Sequence, residues 1–327
     1  MKLFKRKVKN PKIVILGGGT GLSVVLRGLK TISDQITAIV TVADDGGGSG
    51  VLREDLGMLP PGDIRNCIIA LANTEPVMEK LLQYRFPEGQ LKGQSFGNLF
   101  IAAMNGVFGN FEMAIKEMSN ILAVTGKVLP MTLEDVQLFA KLEDGTVIKG
   151  ESNIPHKVEE LGIPIDHIFI KPVAKPLQEA LEAIEEADII ILGPGSLYTS
   201  VMPNLLVKGI AQQLYKSNAL KVYVPNIMTQ PGETDGYDVI QHIDAILKHT
   251  KQDIVDCVIV NNGKMTEGTL AKYKKDGSVP VYLNDEQRII LENMHIKFIE
   301  TNLVDISKNY IRHDAKELSL QIMKLLN

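Results

Sequence analysis

Two short segments carry the residue types from which a phosphate site is built. GGGTG at 17–21 follows the apolar run KIVIL, and DDGGGSG at 44–50 follows ITAIVTVA. A glycine turn between a strand and a helix presents backbone N–H groups and the positive end of the helix dipole, and these bind phosphate without a cationic side chain. Gly18, Gly19, Thr20 and Gly21 are the candidates in the first turn. Three consecutive glycines plus Gly21 exceed what a ligand-free strand–helix turn requires. The turn is not the G-x-G-x-x-G dinucleotide fingerprint, because its third glycine would fall on Leu22. No Gly-Lys-Ser/Thr follows, which excludes a Walker loop.

In the second loop, Asp44 and Asp45 precede Gly46, Gly47 and Ser49. This pattern suits either a divalent cation (Mg or Ca) beside phosphate, or one carboxylate on a sugar and the other in a structural role; an Asp-capped solvent turn is the ligand-free alternative. Consecutive extended residues point to opposite faces, so one of the pair reaches a given ligand. We assign that role to Asp45, which is also the candidate metal ligand and the one candidate catalytic group. Arg53 and Arg65 either close on phosphate or are solvated or salt-bridged. Asp63, in PGDIRN, either caps a helix or acts in catalysis. Gly97 and Asn98, in SFGN, open a further helix with small polar donors. GPGSLYTS at 193–200 repeats the logic of the first turn with Gly195, Ser196 and Tyr198. Asn226, Thr229 and Gln230, in PNIMTQPGETDG, could read a base or a sugar.

The usual catalytic sets are missing. Six histidines occur without metal-ligand spacing, and His242 and His249, seven apart on an expected helix, read as surface residues. There is no Gly-x-Ser-x-Gly elbow. Cys67 and Cys257 each lie in an apolar run and read as buried free thiols, with no disulfide framework. What remains is chemistry by carboxylates, amides and glycine loops.

The elements that must hold these loops alternate between two periodicities. Leu22, Val25, Leu26 and Leu29 fall at helical spacing directly after the first turn. Helices are expected from about 63 and over 76–86, 97–108 and 111–122, and a hairpin over 137–142 and 146–149 around the turn Glu143-Asp144-Gly145. The strand–helix rhythm resumes with strands at 188–192, 220–224, 254–260 and 279–283, and with helices ending at 186 and 216 and spanning 239–250. A last helix turns Leu318, Ile322 and Leu325 inward. The fold class is α/β: a Rossmann-like, doubly wound, mostly parallel sheet, with an inserted helical and hairpin region at about 63–175 of a single domain spanning 12–327. In such sheets ligands bind beyond the carboxyl ends of the strands, where two glycine loops can face each other across a switch point.

The composition of the 327 residues, 45% hydrophobic and 23% charged, is that of a folded globular chain. The formal charge of −4 is too weak to make nucleic acid the general partner. Residues 1–12 hold six of the 35 basic residues and no acid, which leaves 29 basic against 39 acidic residues in the remainder. Residues 1–11 read as a disordered basic leader. No apolar stretch approaches the roughly 18–20 residues of a membrane helix, and no secretory signal is apparent, so a cytoplasmic location is expected.

ILGGGTGLSVVLRGLK, TVADDGGGSGVLR, LPPGDIRNCIIALA, SFGNLF, GPGSLYTS and PNIMTQPGET, in this order, resemble the YvcK group of bacterial gluconeogenesis factors within the CofD-like family, from about residue 12 to the C-terminus. The resemblance implies a cytoplasmic regulator that binds UDP-N-acetylglucosamine or UDP-glucose. It further implies a requirement for cell shape on gluconeogenic carbon sources and a link to peptidoglycan-precursor supply. A homo-oligomer and a peptidoglycan-synthesis protein as partner are expected. The family's enzyme branch, the 2-phospho-lactate transferases, holds a metal at an acidic pair that Asp44 and Asp45 match; the following GGGSGVLREDLGMLPPGDIRN looks like the regulator branch instead.

Overall fold

β-Branched runs bounded by glycine make short, fully buried strands here, and the turns that end them start helices. The computed structural model describes residues 9–307 and 310–327. The chain opens with β1 (Ile13–Gly17), α1 (Gly19–Leu29) and β2 (Ile36–Val40), followed by α2 (Gly47–Leu56), α3 (Gly62–Leu71), α4 (Pro76–Gln83), α5 (Phe96–Phe108) and α6 (Phe111–Ile121). β3 (Lys127–Pro130), β4 (Gln137–Leu142), β5 (Val147–Lys149), α7 (Asn153–Leu161) and β6 (Ile165–Lys171) come next. The second half runs α8 (Gln178–Glu186), β7 (Ile189–Leu192), a π-helical turn (Leu197–Val201), α9 (Met202–Leu206), α10 (Ile210–Lys216), β8 (Leu220–Tyr223), α11 (Val239–Thr250) and β9 (Cys257–Asn261). It closes with α12 (Glu267–Lys275), α13 (Asp285–Asn293), β10 (Lys297–Thr301), β11 (Val304–Ser307), β12 (Tyr310–His313) and α14 (Ala315–Leu325).

Seven strands form one parallel sheet in the order β10-β9-β8-β7-β1-β2-β3. Every residue of β1, β7 and β9 is buried, as a sheet covered by helices on both faces requires. The chain steps from β1 to β2 and β3 in one direction and later from β7 to β10 in the other, so the switch point lies between β1 and β7. Cys67 and Cys257 are buried and free.

The stretch 63–175 is less simple than one insertion. Its β3 returns to pair with β2 in the main sheet, while β4, β5 and β6 form a separate antiparallel sheet. The expected hairpin is β4–β5, and β6 adds a strand that its mixed pattern had hidden. The expected strand at 279–283 is an isolated bridge between Met228 and Pro280, because proline has no N–H to extend a ladder. The strand expected from 254 starts at Cys257. In α14, Leu318 and Ile322 are buried as expected, but Leu326 rather than Leu325 completes the buried stripe. Of the basic leader, residues 1–8 lie outside the described residues. Asn10 and Pro11 are tied down rather than loose, since the Asp34 N–H donates to Asn10 Oδ1 at 3.0 Å and the Ser33 hydroxyl to the Pro11 carbonyl at 2.7 Å.

α1 lies against α14, and the contact needs a glycine. A Cβ on Gly28 would stand 2.4 Å from both the Ala315 carbonyl oxygen and Ser319 Oγ. Gly28→Ala is therefore expected to lower stability by about 1–3 kcal/mol through overpacking, read as a lower urea midpoint with an unchanged slope.

Candidate functional site

The turn after β1 is shaped by what surrounds it. Gly18 is extended, and a Cβ there would meet Thr41 Cγ2 at 2.5 Å and Asp63 Oδ2 at 2.6 Å. Gly19 has φ +67°, the left-handed region that favours glycine. A Cβ on Gly21 would come within 3.1 Å of the Pro194 carbonyl, and one on Gly195 within 3.3 Å of the Gly18 carbonyl. The loops after β1 and β7 thus touch backbone to backbone across the switch point. Behind them the buried Asn204 amide donates to the Gly17 carbonyl at 3.1 Å and the Ser200 carbonyl at 2.9 Å, which fixes the π-helical turn beneath β1.

The two loops form one wall of a cavity of about 730 Å³. Its base is the loop after β8, where side-chain amides form a chain. Asn226 Nδ2 donates to Gln230 Oε1, and Gln230 Nε2 donates to Ser196 Oγ, each at 2.7 Å. Thr229 lines the cavity too, with its hydroxyl accepting from the Val279 N–H at 2.9 Å and its own N–H donating to the Val279 carbonyl at 2.8 Å. The far wall is β12, held by two clamps. The Ile311 N–H donates to the Tyr273 hydroxyl at 2.8 Å, and the His313 imidazole meets the Pro225 carbonyl at 3.1 Å. Burial pushes His313 down to about 4, so that ring is neutral near neutrality. Arg312 lines the cavity, is exposed, and is the one guanidinium among its described lining residues, which include no lysine.

Beside this cavity lies a group of carboxyls. Asp63 does not cap α3, whose N-cap is Pro61; its carboxyl lies against the first turn instead, beside Gly18 and the Gly19 N–H. Burial, then repulsion from Asp44, lifts Asp63 to about 6. Glu151, at the entry to α7, is pushed up to about 8 by burial and then by Asp44, Asp63, Glu233 and Asp45. Glu233 is 6% exposed and burial lifts it to about 7. Asp44 and Asp45 take different partners: Asp44 Oδ1 accepts from the Gly46 N–H and Asp45 Oδ1 from the Ser152 N–H, both at 2.9 Å. Asp45 thereby faces the start of α7, and Asp44 is the larger influence on Glu151.

The structure brings together in one cavity Gly18, Gly19, Thr20, Gly21, Gly195, Ser196, Asn226, Thr229 and Gln230. Asp44, Asp45, Gly46, Gly47, Ser49, Gly97, Asn98 and Tyr198 do not line it. Ser49 Oγ accepts from the Gly62 N–H at 3.1 Å, joining α2 to α3. Asn98 Oδ1 accepts from Arg65 at 2.9 Å, and Arg65 also donates to Ser95 and Asn66, so this arginine is enclosed by neutral oxygens. Arg53 pairs with Asp135. Tyr198 is buried on the other side of the wall, its hydroxyl 2.9 Å from that of Tyr237. His242 is buried too, edge-on to Tyr237 at 5.6 Å, and His249 is half-buried, its Nε2 accepting from the Ile168 N–H at 2.9 Å. Sequence reasoning missed Glu151, Glu233, Tyr273 and Arg312. Only Glu233 carried a signal, as a carboxylate within TQPGET.

The model of the family described as 2-phospho-L-lactate transferase CofD matches residues 13–304. The chain is 59% identical over 320 residues to a putative gluconeogenesis factor of Thermoanaerobacterium thermosulfurigenes, covering 98% of each. It is 46% identical over 320 residues to the gluconeogenesis factor of Bacillus subtilis, covering 97% of this chain and 99% of that one. A crystal structure of a UPF0052-family protein from Bacillus halodurans superposes with a TM-score of 0.90 at 47% identity, covering 95% of this chain and 98% of the other.

The raised carboxyls predict a pH dependence. In the unfolded chain Asp63, Glu151 and Glu233 ionise near their ordinary values of 3.8, 4.5 and 4.5, whereas the fold retains their protons to about 6, 8 and 7. Their contribution is complete below the unfolded values and is lost as pH rises through the folded ones. The urea midpoint is expected to fall between about pH 5 and pH 8, and Glu151→Gln to flatten that slope and raise stability at the upper end by about 1 kcal/mol or more.

Proposed function

The chain belongs to the CofD family, within its group of gluconeogenesis factors, and on that premise we propose that it binds a UDP-sugar in the cavity between the β1 and β7 loops. UDP-N-acetylglucosamine or UDP-glucose is the ligand in this reading. The bound protein acts as a regulator of peptidoglycan-precursor supply and cell shape during gluconeogenic growth, through a peptidoglycan-synthesis partner and as a homo-oligomer. One observation carries the binding proposal: two glycine loops and a base of neutral amides meet around about 730 Å³ at the switch point. That volume is within the range of small-molecule sites.

The expected division of labour follows from the chemistry of the walls. Asp63 lies beside the Gly19 N–H, and the first-turn amides of Thr20 and Gly21 are placed to receive a phosphate oxygen at the positive end of α1. Arg312 approaches the diphosphate from the opposite wall, where a guanidinium can donate in pairs. Asn226, Gln230 and Ser196 already form a donor–acceptor chain that sugar hydroxyls or uracil edges can join. Glu151, held largely neutral by burial near neutral pH, puts less negative charge beside the diphosphate than the number of carboxyls suggests. No helix among the described residues is long and apolar enough to cross a membrane.

The alternative reading is a metal-dependent phosphotransferase resembling the 2-phospho-lactate transferases, and the family match favours it. Its divalent cation (Mg or Ca) would need converging ligands. Among the described residues no group of three or more His, Cys, Asp or Glu side chains is placed to hold a metal ion, and Asp44 and Asp45 are each engaged by a different backbone N–H.

Titration calorimetry of the full chain tests the first reading. Saturable binding of UDP-N-acetylglucosamine or UDP-glucose is expected, weakened about tenfold or more by Arg312→Ala, the equivalent of ~1.4 kcal/mol. An absence of heat with both sugars at millimolar concentration overturns it.

A further inference from the structure

A second cavity, of about 700 Å³, lies between α7 and β6 on one side and α11 on the other, and it shares only Glu233 with the first. Six acids line it, Glu143, Glu159, Asp166, Glu233, Asp235 and Asp244, against a single cation, Lys248. Lys248 is engaged with the Asp166 carboxylate at 2.7 Å. Tyr198 and Tyr237, joined through their hydroxyls, add aromatic surface.

Acidity alone does not make a site, but Glu233 supplies an independent observation. Thr199 Oγ1 donates to Glu233 Oε1 at 3.1 Å, while the buried Oε2 has no hydrogen-bond partner. A buried carboxylate oxygen left unpaired is costly, and a cationic donor removes that cost. Burial pushes this carboxyl up for the same reason.

The distribution of charge selects the kind of cation. No three of the described acids converge as a metal ion requires. Carboxylates spread along the walls suit a molecule whose positive charges are spread as well. Ammonium groups are also attracted to the faces of aromatic rings. We propose that this cavity binds a small organic polycation of the polyamine class, with the Glu233 carboxylate as its innermost anchor. Because Glu233 forms part of both cavities, such a ligand sits directly behind the candidate UDP-sugar site. The proposal does not rest on that site's occupant.

Calorimetry of the full chain with spermidine at constant ionic strength tests it. Saturable binding is expected. Asp244→Asn and Glu233→Gln are each expected to weaken it by about tenfold, and Lys248→Ala, which removes the competing cation, to tighten it. Thermal melts establish that each variant folds, and Asp244 and Lys248 are exposed positions that keep the test open should Glu233→Gln fail to fold. The proposal is overturned if wild-type protein shows no saturable heat, if magnesium chloride of matched charge competes as well as spermidine, or if Asp244→Asn and Lys248→Ala both bind as wild type does.

Discussion

Where the parallel sheet reverses direction, the loop after β1 and the loop after β7 approach so closely that backbone meets backbone. Gly21 faces the Pro194 carbonyl and Gly195 faces the Gly18 carbonyl, with room for little beyond a hydrogen at each position. Everything near the site depends on this contact. It sets the first turn of α1 against the cavity, with the π-helical turn tied to β1 through Asn204 and Asp63 packed beside Gly18. A side chain at Gly18 would displace both Thr41 and Asp63, so the composition of the loop is a packing requirement before it is a binding one.

The electrostatics follow from that arrangement. An acidic chain accommodates an anion by means that do not depend on net charge: amides at a helix end, one guanidinium on β12, and carboxyls that burial keeps partly protonated. Glu233 separates two chemically opposite cavities. One is lined by glycines, neutral amides and Arg312, the other by carboxylates, and each carries two tyrosines. A residue in that position feels the charge on both sides.

Local pattern made much of the fold legible. β1, α1, β2, β7, α11 and the β4–β5 hairpin announce themselves through period and turn residues, because each is specified by neighbours a few positions away. The pairing of β3 with β2 was not legible, since 86 residues separate the two strands and neither names its partner. Pro280 is an instance of the opposite error: an apolar run with strand-like composition whose proline prevents a ladder. His242 has the same cause, a polar residue on a helix face that happens to be turned onto Tyr237.

The candidate site divides along the same line. The residue types of the glycine loops, their place after strands and the class of ligand they suit were set by the sequence alone, because backbone conformation and helix ends are local physics. Tertiary structure decided which loops share a cavity. It packed Asp63 against the first loop, turned Asp45 toward α7, enclosed Arg65 in neutral oxygens, and brought Arg312 from the C-terminal strand to the cavity wall. Those outcomes rest on contacts between segments distant in sequence, whose burial and charge exist only once the sheet has closed its switch point.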